Sequence, residues 1–260
     1  IYQGEITIKL LDDMGIANYV IGKDTKDEEI EAKMKEFKTL LEKGKQVAYV
    51  IRKGAFEYDG KVRFANKYSM LREDIIKHVV AVTREDIIVS TTGKASRELF
   101  EIREATGQTH GTDFLTVGSM GHSSSIAFGI ALQKPDKKIW IIDGDGAMLM
   151  HMGSMAVIGS YAPKNIVHII INNTSHETVG GQPTVADKIN IVEIAKGCGY
   201  PNAMSVDNFD DLDRALNDAK ERDELSLIEV KSAIGARADL GRPTTSAKEN
   251  KEAFMKYLSR

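Results

Sequence analysis

The sequence predicts an α/β protein whose larger part, residues 70–260, is a doubly wound parallel sheet preceded by a smaller α/β segment. Three observations lead there. Short apolar runs alternate with stretches of helical period along the chain. The runs carry apolar residues at consecutive positions, as in KIWIID (138–143) and NIVHIII (165–171), which marks strands covered on both faces. With 42% hydrophobic and 28% charged residues, 260 residues suffice to bury a core without cross-links.

The elements follow in order. Residues 4–14 (GEITIKLLDDM) predict a short amphipathic helix stopped by Gly15, and residues 16–21 a strand. Asp24 is placed to cap a helix running to Glu42, with Ile30, Met34, Phe37, Leu40 and Leu41 on one face and a Lys/Glu-rich solvated face opposite. Gly44 ends it, and QVAYVI (46–51) is the next strand, so residues 1–56 contain a β–α–β unit. The polar, irregular stretch 57–69 (beginning EYDGKVRFANKY) is the expected linker. Beyond it the pattern predicts helices over 72–82, 95–106, 123–132, 146–160, 190–197 and 210–222. Strands are predicted over 86–90, 114–117, 138–143, 165–171 and 225–231.

Composition excludes several classes. Thirty-five basic against 38 acidic residues give a net charge of −3, which argues against a nucleic-acid surface. No apolar run approaches the roughly 18 residues of a spanning helix, so no membrane partner is expected. A single cysteine, Cys198, rules out an intramolecular disulfide and fits a reducing, cytoplasmic compartment. The chain begins at Ile1 with no signal-like segment, and the expectation is a piece of a longer protein.

The sharpest chemical signal is Gly144-Asp145-Gly146 after one strand and Asn172-Asn173 after the next, separated by the 25 residues 147–171. One helix and one strand fill that length. A right-handed β–α–β unit therefore brings both motifs to the carboxyl edge of the sheet, where such folds bind ligands. A carboxylate on Asp145 and an amide oxygen on Asn173 are hard donors suited to Mg²⁺. The glycines let a diphosphate approach the backbone, and the following helix points its N-terminus at that anion. A Gly-Asp-Gly alone is also a tight βα turn; the pairing with Asn-Asn at this spacing makes it specific.

That pattern resembles enzymes dependent on thiamine diphosphate. GSMGH (118–122) with SSSIAFGIAL, the block GDGAMLMHMGSMAVIGSYAPKN, NNTSHETVGGQPT, and TTG (91–93) with SREL (96–99) resemble the phosphonopyruvate decarboxylases over nearly the whole chain. The related sulfopyruvate decarboxylases share much of this. The resemblance implies a thiamine diphosphate-binding fold over 70–260, with residues 1–56 the C-terminal part of an aminopyrimidine-binding domain. It implies Mg²⁺ ligation by Asp145, Asn173 and the Ser175 carbonyl. It implies cofactor contacts from Thr91, Thr92, Gly93, Gly118, Ser119, Met120, Gly144, Gly146 and Ala147. Met120 would wedge the cofactor into its bent shape, although methionine also fills cores. The implied reaction is non-oxidative decarboxylation of 3-phosphonopyruvate to phosphonoacetaldehyde, with 3-sulfopyruvate as the parallel substrate. His122 and His176 are the candidate proton-transfer groups, because histidine titrates near neutral pH.

Other residues read more than one way. Lys94 and Arg97 stand near the 91–93 loop and suit a phosphonate, though Arg97 also suits a helix surface. The loop 178–183 (TVGGQP) is a lid or a connection. His168 reads as a satisfied interior histidine, His151 as a packing or supporting residue, and Cys198 as structural. Arg237 and Arg242 read as surface charges or part of a tail near a partner. In this family the site lies between subunits, so a homodimer or larger homo-oligomer is expected. The activating glutamate belongs to a region the sequence does not match, and the chain alone is expected to be inactive. A cofactor-binding or dimerisation module without turnover is the alternative of another class.

Overall fold

A computed structural model describes residues 2–58, 60 and 64–259, and the chain divides into two compact units, residues 1–62 and 63–260. Part of the linker expected over 57–69, namely residues 59 and 61–63, lies outside the described residues.

The first unit holds α1 (Tyr2–Asp13), β1 (Ala17–Ile21), α2 (Asp27–Glu42) and β2 (Val47–Ile51). Its two strands pair in parallel, from Ala17 opposite Val47 to Ile21 opposite Ile51. Phe37 is buried and meets Tyr49 with ring centroids 4.9 Å apart. Two expectations fail here. Asp24 does not cap α2: the cap position is Lys26, and the first turn carries Asp27, Glu28 and Glu29, whose charge suits a helix N-terminus. Met34 and Leu41 are exposed, so the buried stripe narrows to Phe37 with Ile30 and Leu40 half-buried.

The second unit opens with α3 (Arg72–Thr83), β3 (Ile87–Ser90), α4 (Lys94–Ala105) and β4 (Asp113–Leu115). It continues through α5 (Ser123–Gln133), β5 (Ile139–Gly144), α6 (Asp145–Met150), α7 (Gly153–Tyr161) and β6 (Ile166–Asn172). After β6 come a short hairpin of β7 (Ser175–His176) and β8 (Gln182–Pro183), then α8 (Ile191–Gly197) and β9 (Asn202–Val206). The unit ends with α9 (Phe209–Glu221), β10 (Ser226–Lys231) and α10 (Ala247–Leu258).

Six strands form one parallel sheet in the order β4-β3-β5-β6-β10-β9. Alternate residues of each strand enter opposite cores. Ile88, Trp140, Ile142, Val167 and Ile169 lie with α3, α4 and α9, whereas Val89, Ile139, Ile141, Ile166 and Ile170 lie on the other face. The chain leaves β3 for β4 on one side and returns to β5 on the other. The loops after β3 and β5 therefore flank a topological switch point, the place where open α/β sheets leave a crevice.

Four features differ from the sequence reading. The helix expected over 146–160 is two helices, because His151 leaves helical geometry (φ −130°, ψ 39°) just before Gly153, a poor interior helix residue. Strand β9 and helix α10 were not anticipated. The segment around Arg237 and Arg242 is no tail: Arg237 pairs with Glu73, Glu101 and Asp239, and α10 follows with a Ser246/Glu249 capping box. Asn250 of α10 accepts from Leu115 N at 3.0 Å and donates to Asp113 O at 2.9 Å, satisfying the open edge of β4. His168 is buried but only partly satisfied. Its Nδ1 lies 3.4 Å from the Tyr200 hydroxyl, while Nε2 has no hydrogen-bond partner and sits 3.6 Å from Asp143 Oδ2.

Candidate functional site

Ten of the residues singled out from sequence line one cleft at the carboxyl edge of the sheet: Thr91, Thr92, Met120, Gly144, Asp145, Gly146, Ala147, Asn173, Ser175 and His176. Each arrives by a short route from a strand end. Thr91 follows β3, and its amide donates to Ile142 O at 2.7 Å, which locks the loop to β5. Asp145 follows β5 directly. Asn173 follows β6, where Asn172 donates to Glu229 at 2.7 Å and accepts from Thr174 N at 3.1 Å. That anchor turns the chain sharply, with Thr174 at φ 59°.

Asp145 is 2% exposed. One carboxylate oxygen accepts the Thr184 hydroxyl, which fixes the group and leaves its other oxygen for a cation. Burial pushes this carboxyl above its ordinary range, with the Thr184 hydrogen bond working against the shift. Asn173 Oδ1 accepts from Ser175 N at 3.1 Å, and its Nδ2 donates to Glu177 Oε2 at 3.0 Å, which settles the amide so that oxygen points one way and nitrogen the other. Among the described residues no three His, Cys, Asp or Glu side chains cluster as a metal site. A cation here would be held by one carboxylate, one amide oxygen and backbone, with water or phosphate oxygens completing the shell, as Mg²⁺ accepts.

The site's charge is set by Lys94, noted in the sequence beside the 91–93 loop, together with Arg72, Glu98 and Glu177, which the sequence assigns no role. Arg72 donates to both oxygens of Glu98 (2.7 and 2.8 Å) and to Glu177 (2.7 Å), and Lys94 donates to the other Glu177 oxygen at 2.7 Å. Burial alone would raise the Glu177 pKa, but Arg72 and Lys94 outweigh it and hold the carboxyl below its ordinary value. Arg72 lies outside every motif, and Glu177 lies inside the NNTSHETVGGQPT block (172–184) without a role assigned from sequence. Thr184 closes the same block, again without a role assigned from sequence. The loop 178–183 forms the short hairpin with β7 and begins in a turn over Glu177–Val179.

Four expected residues stand apart. Gly93, at φ 99°, caps α4 and faces a neighbouring cleft, its α-carbon against the Thr178 side chain. Gly118 donates to Thr92 Oγ1 at 3.2 Å from outside the lining, and Ser119 sits at φ 42° in the same loop. His122 is exposed, its ring 4.1 Å from that of His151, away from the main cleft. The loop is pinned by Gly121: a Cβ there would meet Ala147 O at 2.5 Å, so only glycine lets the loop seat on α6 and carry Met120 into the cleft.

The cleft suits a phosphorylated ligand with a bound cation. Thr91 Oγ1 and Ser175 Oγ are buried without hydrogen-bond partners, as groups awaiting a ligand are. The His176 ring lies against the α-carbon of Gly146, where an added Cβ would meet it at 2.5 Å, so backbone is presented bare to the cleft. Thr91, Ser175 and the Gly146–Ala147 amides thus fit a diphosphate, and Asp145 with Asn173 fits its Mg²⁺.

The chain is similar to known thiamine diphosphate-dependent proteins. The family described as "Thiamine pyrophosphate enzyme, C-terminal TPP binding domain" matches residues 91–230. A phosphonopyruvate decarboxylase of Streptomyces viridochromogenes is 34% identical over 176 residues, 68% of this chain and 43% of that protein. The chain therefore spans less than half the length of that relative. A sulfopyruvate decarboxylase subunit beta of Methanocaldococcus jannaschii is 37% identical over 163 residues, 62% of this chain and 83% of that subunit. The solved thiamine diphosphate-dependent 4-hydroxybenzoylformate decarboxylase of Rhodococcus jostii RHA1 superposes with a TM-score of 0.51 at 22% identity. It covers 69% of this chain and 36% of that one, and shows the shared fold.

Proposed function

The chain belongs to the thiamine pyrophosphate enzyme family, and from that premise we propose that it is the diphosphate- and Mg²⁺-binding part of a decarboxylase acting on 3-phosphonopyruvate. The observation that carries the reading is the meeting of Asp145, Asn173 and Ser175 with the partnerless Thr91 hydroxyl in one cleft at the switch point. When bound, the cofactor supplies the electron sink for loss of CO₂ from a 2-oxo acid.

The chain's own residues divide the remaining work. Asp145, Asn173 and the Ser175 carbonyl hold Mg²⁺, with Thr184 and Glu177 fixing the two side chains. The Gly146 and Ala147 amides and the Thr91 hydroxyl hold the diphosphate. Met120 enters the cleft beside them and sets the ring's position. His176, the one candidate histidine lining the cleft, is assigned the proton given to the product carbon; its removal costs about 10²–10⁴ in rate. The two-stranded unit of residues 1–62 is assigned to an aminopyrimidine-binding domain, and turnover is assigned to a homo-oligomer in which a complete domain of that kind closes the site. The reading places the protein in the cytoplasm; among the described residues no helix is long and apolar enough to cross a membrane.

Sulfopyruvate is the second reading, favoured by the long span of the M. jannaschii subunit that this chain matches. The test is decarboxylation of both acids by the full protein with thiamine diphosphate and Mg²⁺, beside Asp145→Ala. Turnover of the phosphonate, lost in the variant, is expected. Turnover of the sulfonate alone moves the substrate assignment, and turnover of neither refutes both.

A further inference from the structure

Beside the cofactor cleft, and sharing Thr92, Lys94 and Thr178 with it, lies a second cleft of about 430 Å³ that is lined by three cations and no acid. Lys94 is already paired with Glu177. Arg97 and Arg242 make no side-chain hydrogen bond or ion pair among the described residues, although both line this cleft. Two unpaired cations lining one cleft make its field positive and favour an anion.

The two arginines come from distant parts of the chain, and the structure shows what brings them together. Arg97 lies in the first turn of α4. Arg242 is carried over that helix because Gly241 N donates to Glu101 Oε1 at 2.7 Å, while Glu101 also binds Arg237. Any side chain at 241 would meet that carboxylate oxygen at 2.7 Å, so the crossing is close. The acid next to Arg97 on the helix is thus spent on the crossing segment and not on Arg97. A second, independent sign of a ligand lies in the wall. Thr116, 6% exposed, lines the cleft with its hydroxyl lacking any hydrogen-bond partner.

We propose that this cleft takes the tetrahedral anionic tail of the substrate, a phosphonate or sulfonate, on Arg97, Arg242 and the Thr116 hydroxyl. The proposal rests on the decarboxylase reading for the rest of the substrate. Arginine forks match tetrahedral oxyanions through paired N–H donors. Because Thr92, Lys94 and Thr178 line both clefts, the tail and the reacting carbons of one short 2-oxo acid occupy adjoining spaces. A substrate without the tail leaves the arginines unpaired, so the cleft selects for the tail.

Calorimetric titration of the full chain with 3-phosphonopropionate, 3-sulfopropionate and propionate tests this without turnover. It is run with saturating thiamine diphosphate and Mg²⁺, so that the anion is kept out of the diphosphate subsite, and repeated without them. A tailed acid is expected to bind at least tenfold more tightly than propionate. Arg97→Gln and Arg242→Gln are each expected to cancel most of that preference, with Arg97→Lys retaining part and Thr116→Val weakening it severalfold. Cofactor affinity stays unchanged in all four. The stronger of the two tailed acids identifies phosphonate or sulfonate. Equal binding of tailed and tail-less acids, or wild-type preference in both glutamine variants, overturns the proposal; Arg242 is exposed in a loop, so its variant does not hinge on folding. Failure to bind thiamine diphosphate instead sinks the cofactor reading, and the titration without cofactor still reads the cleft.

Discussion

Removing Arg72 should unfold the second unit far more easily than its position at the start of a helix suggests. The Glu98 side chain is wholly buried and that of Arg72 is 9% exposed, and Arg72 spans two carboxylates, with bonds of 2.7 and 2.8 Å to Glu98 and 2.7 Å to Glu177. Arg72→Met strands Glu98 with no other side-chain partner among the described residues, whereas Glu177 keeps Lys94 at 2.7 Å. Breaking a buried pair from one side costs about 3–5 kcal/mol. At this size that corresponds to a fall in Tm of roughly 6–20 °C. Replacing both partners, Arg72→Met with Glu98→Leu, removes the stranded charge and should return stability to within about 1–2 kcal/mol of the parent. Urea unfolding followed by fluorescence reports this directly, because Trp140 is the only tryptophan and lies buried in β5, donating to Asp86 at 2.9 Å. A single variant within about 1 kcal/mol of the parent, or a double variant no better than the single, would show that Arg72 and Glu98 are not coupled, since coupled pairs show interaction energies of about 0.5–3 kcal/mol.

Three further outcomes are expected. Thr184→Val frees the Asp145 carboxylate to rotate, and should weaken Mg²⁺ binding by roughly 10–100-fold in a metal titration, alongside a cost of about 1–3 kcal/mol in urea stability from the buried Asp145 carboxylate and Ala186 N left unpaired. Gly159→Ala drives a methyl group into the Cys198 carbonyl oxygen, where α7 passes close to the chain after α8. It should destabilise by about 1–3 kcal/mol or more with no specific effect on cofactor binding, as thermal unfolding with and without ligand will show. Asn250→Ala leaves Leu115 N and Asp113 O unpaired at a buried edge and should cost about 1–3 kcal/mol, with faster hydrogen exchange confined to β4 and α10.

What the sequence made legible was the layered sheet and the motifs that sit where strands end. KIWIID and NIVHIII carry consecutive apolar residues because helices cover both faces of β5 and β6, and their ends deliver Asp145 and Asn173 to one edge by topology alone. Contacts that depend on tertiary approach were not legible. Arg72 meets Glu98 and Glu177 across 26 and 105 residues, and no local pattern marks either pairing. Arg242 was read as a surface or tail charge because the crossing that sets it near α4 depends on one backbone hydrogen bond to Glu101. Helix α10 did carry a signal, the Ser246-x-x-Glu249 capping box, which the sequence reading passed over. The break at His151 reflects the poor helix propensity of Gly153 inside a stretch whose apolar residues suggest one continuous helix. His122 illustrates the limit of motif adjacency: two residues after Met120, it faces His151 and not the cleft.

Asp145 and Asn173 are proposed to bind a diphosphate through Mg²⁺. The direct measurement is calorimetric titration of thiamine diphosphate into the chain with Mg²⁺, with a chelator, and with Asp145→Ala. One binding event is expected that needs the cation and vanishes in the variant, a larger loss than the roughly 10–100-fold that follows removal of a supporting partner. Binding that is indifferent to Mg²⁺, or unchanged in Asp145→Ala, would contradict it.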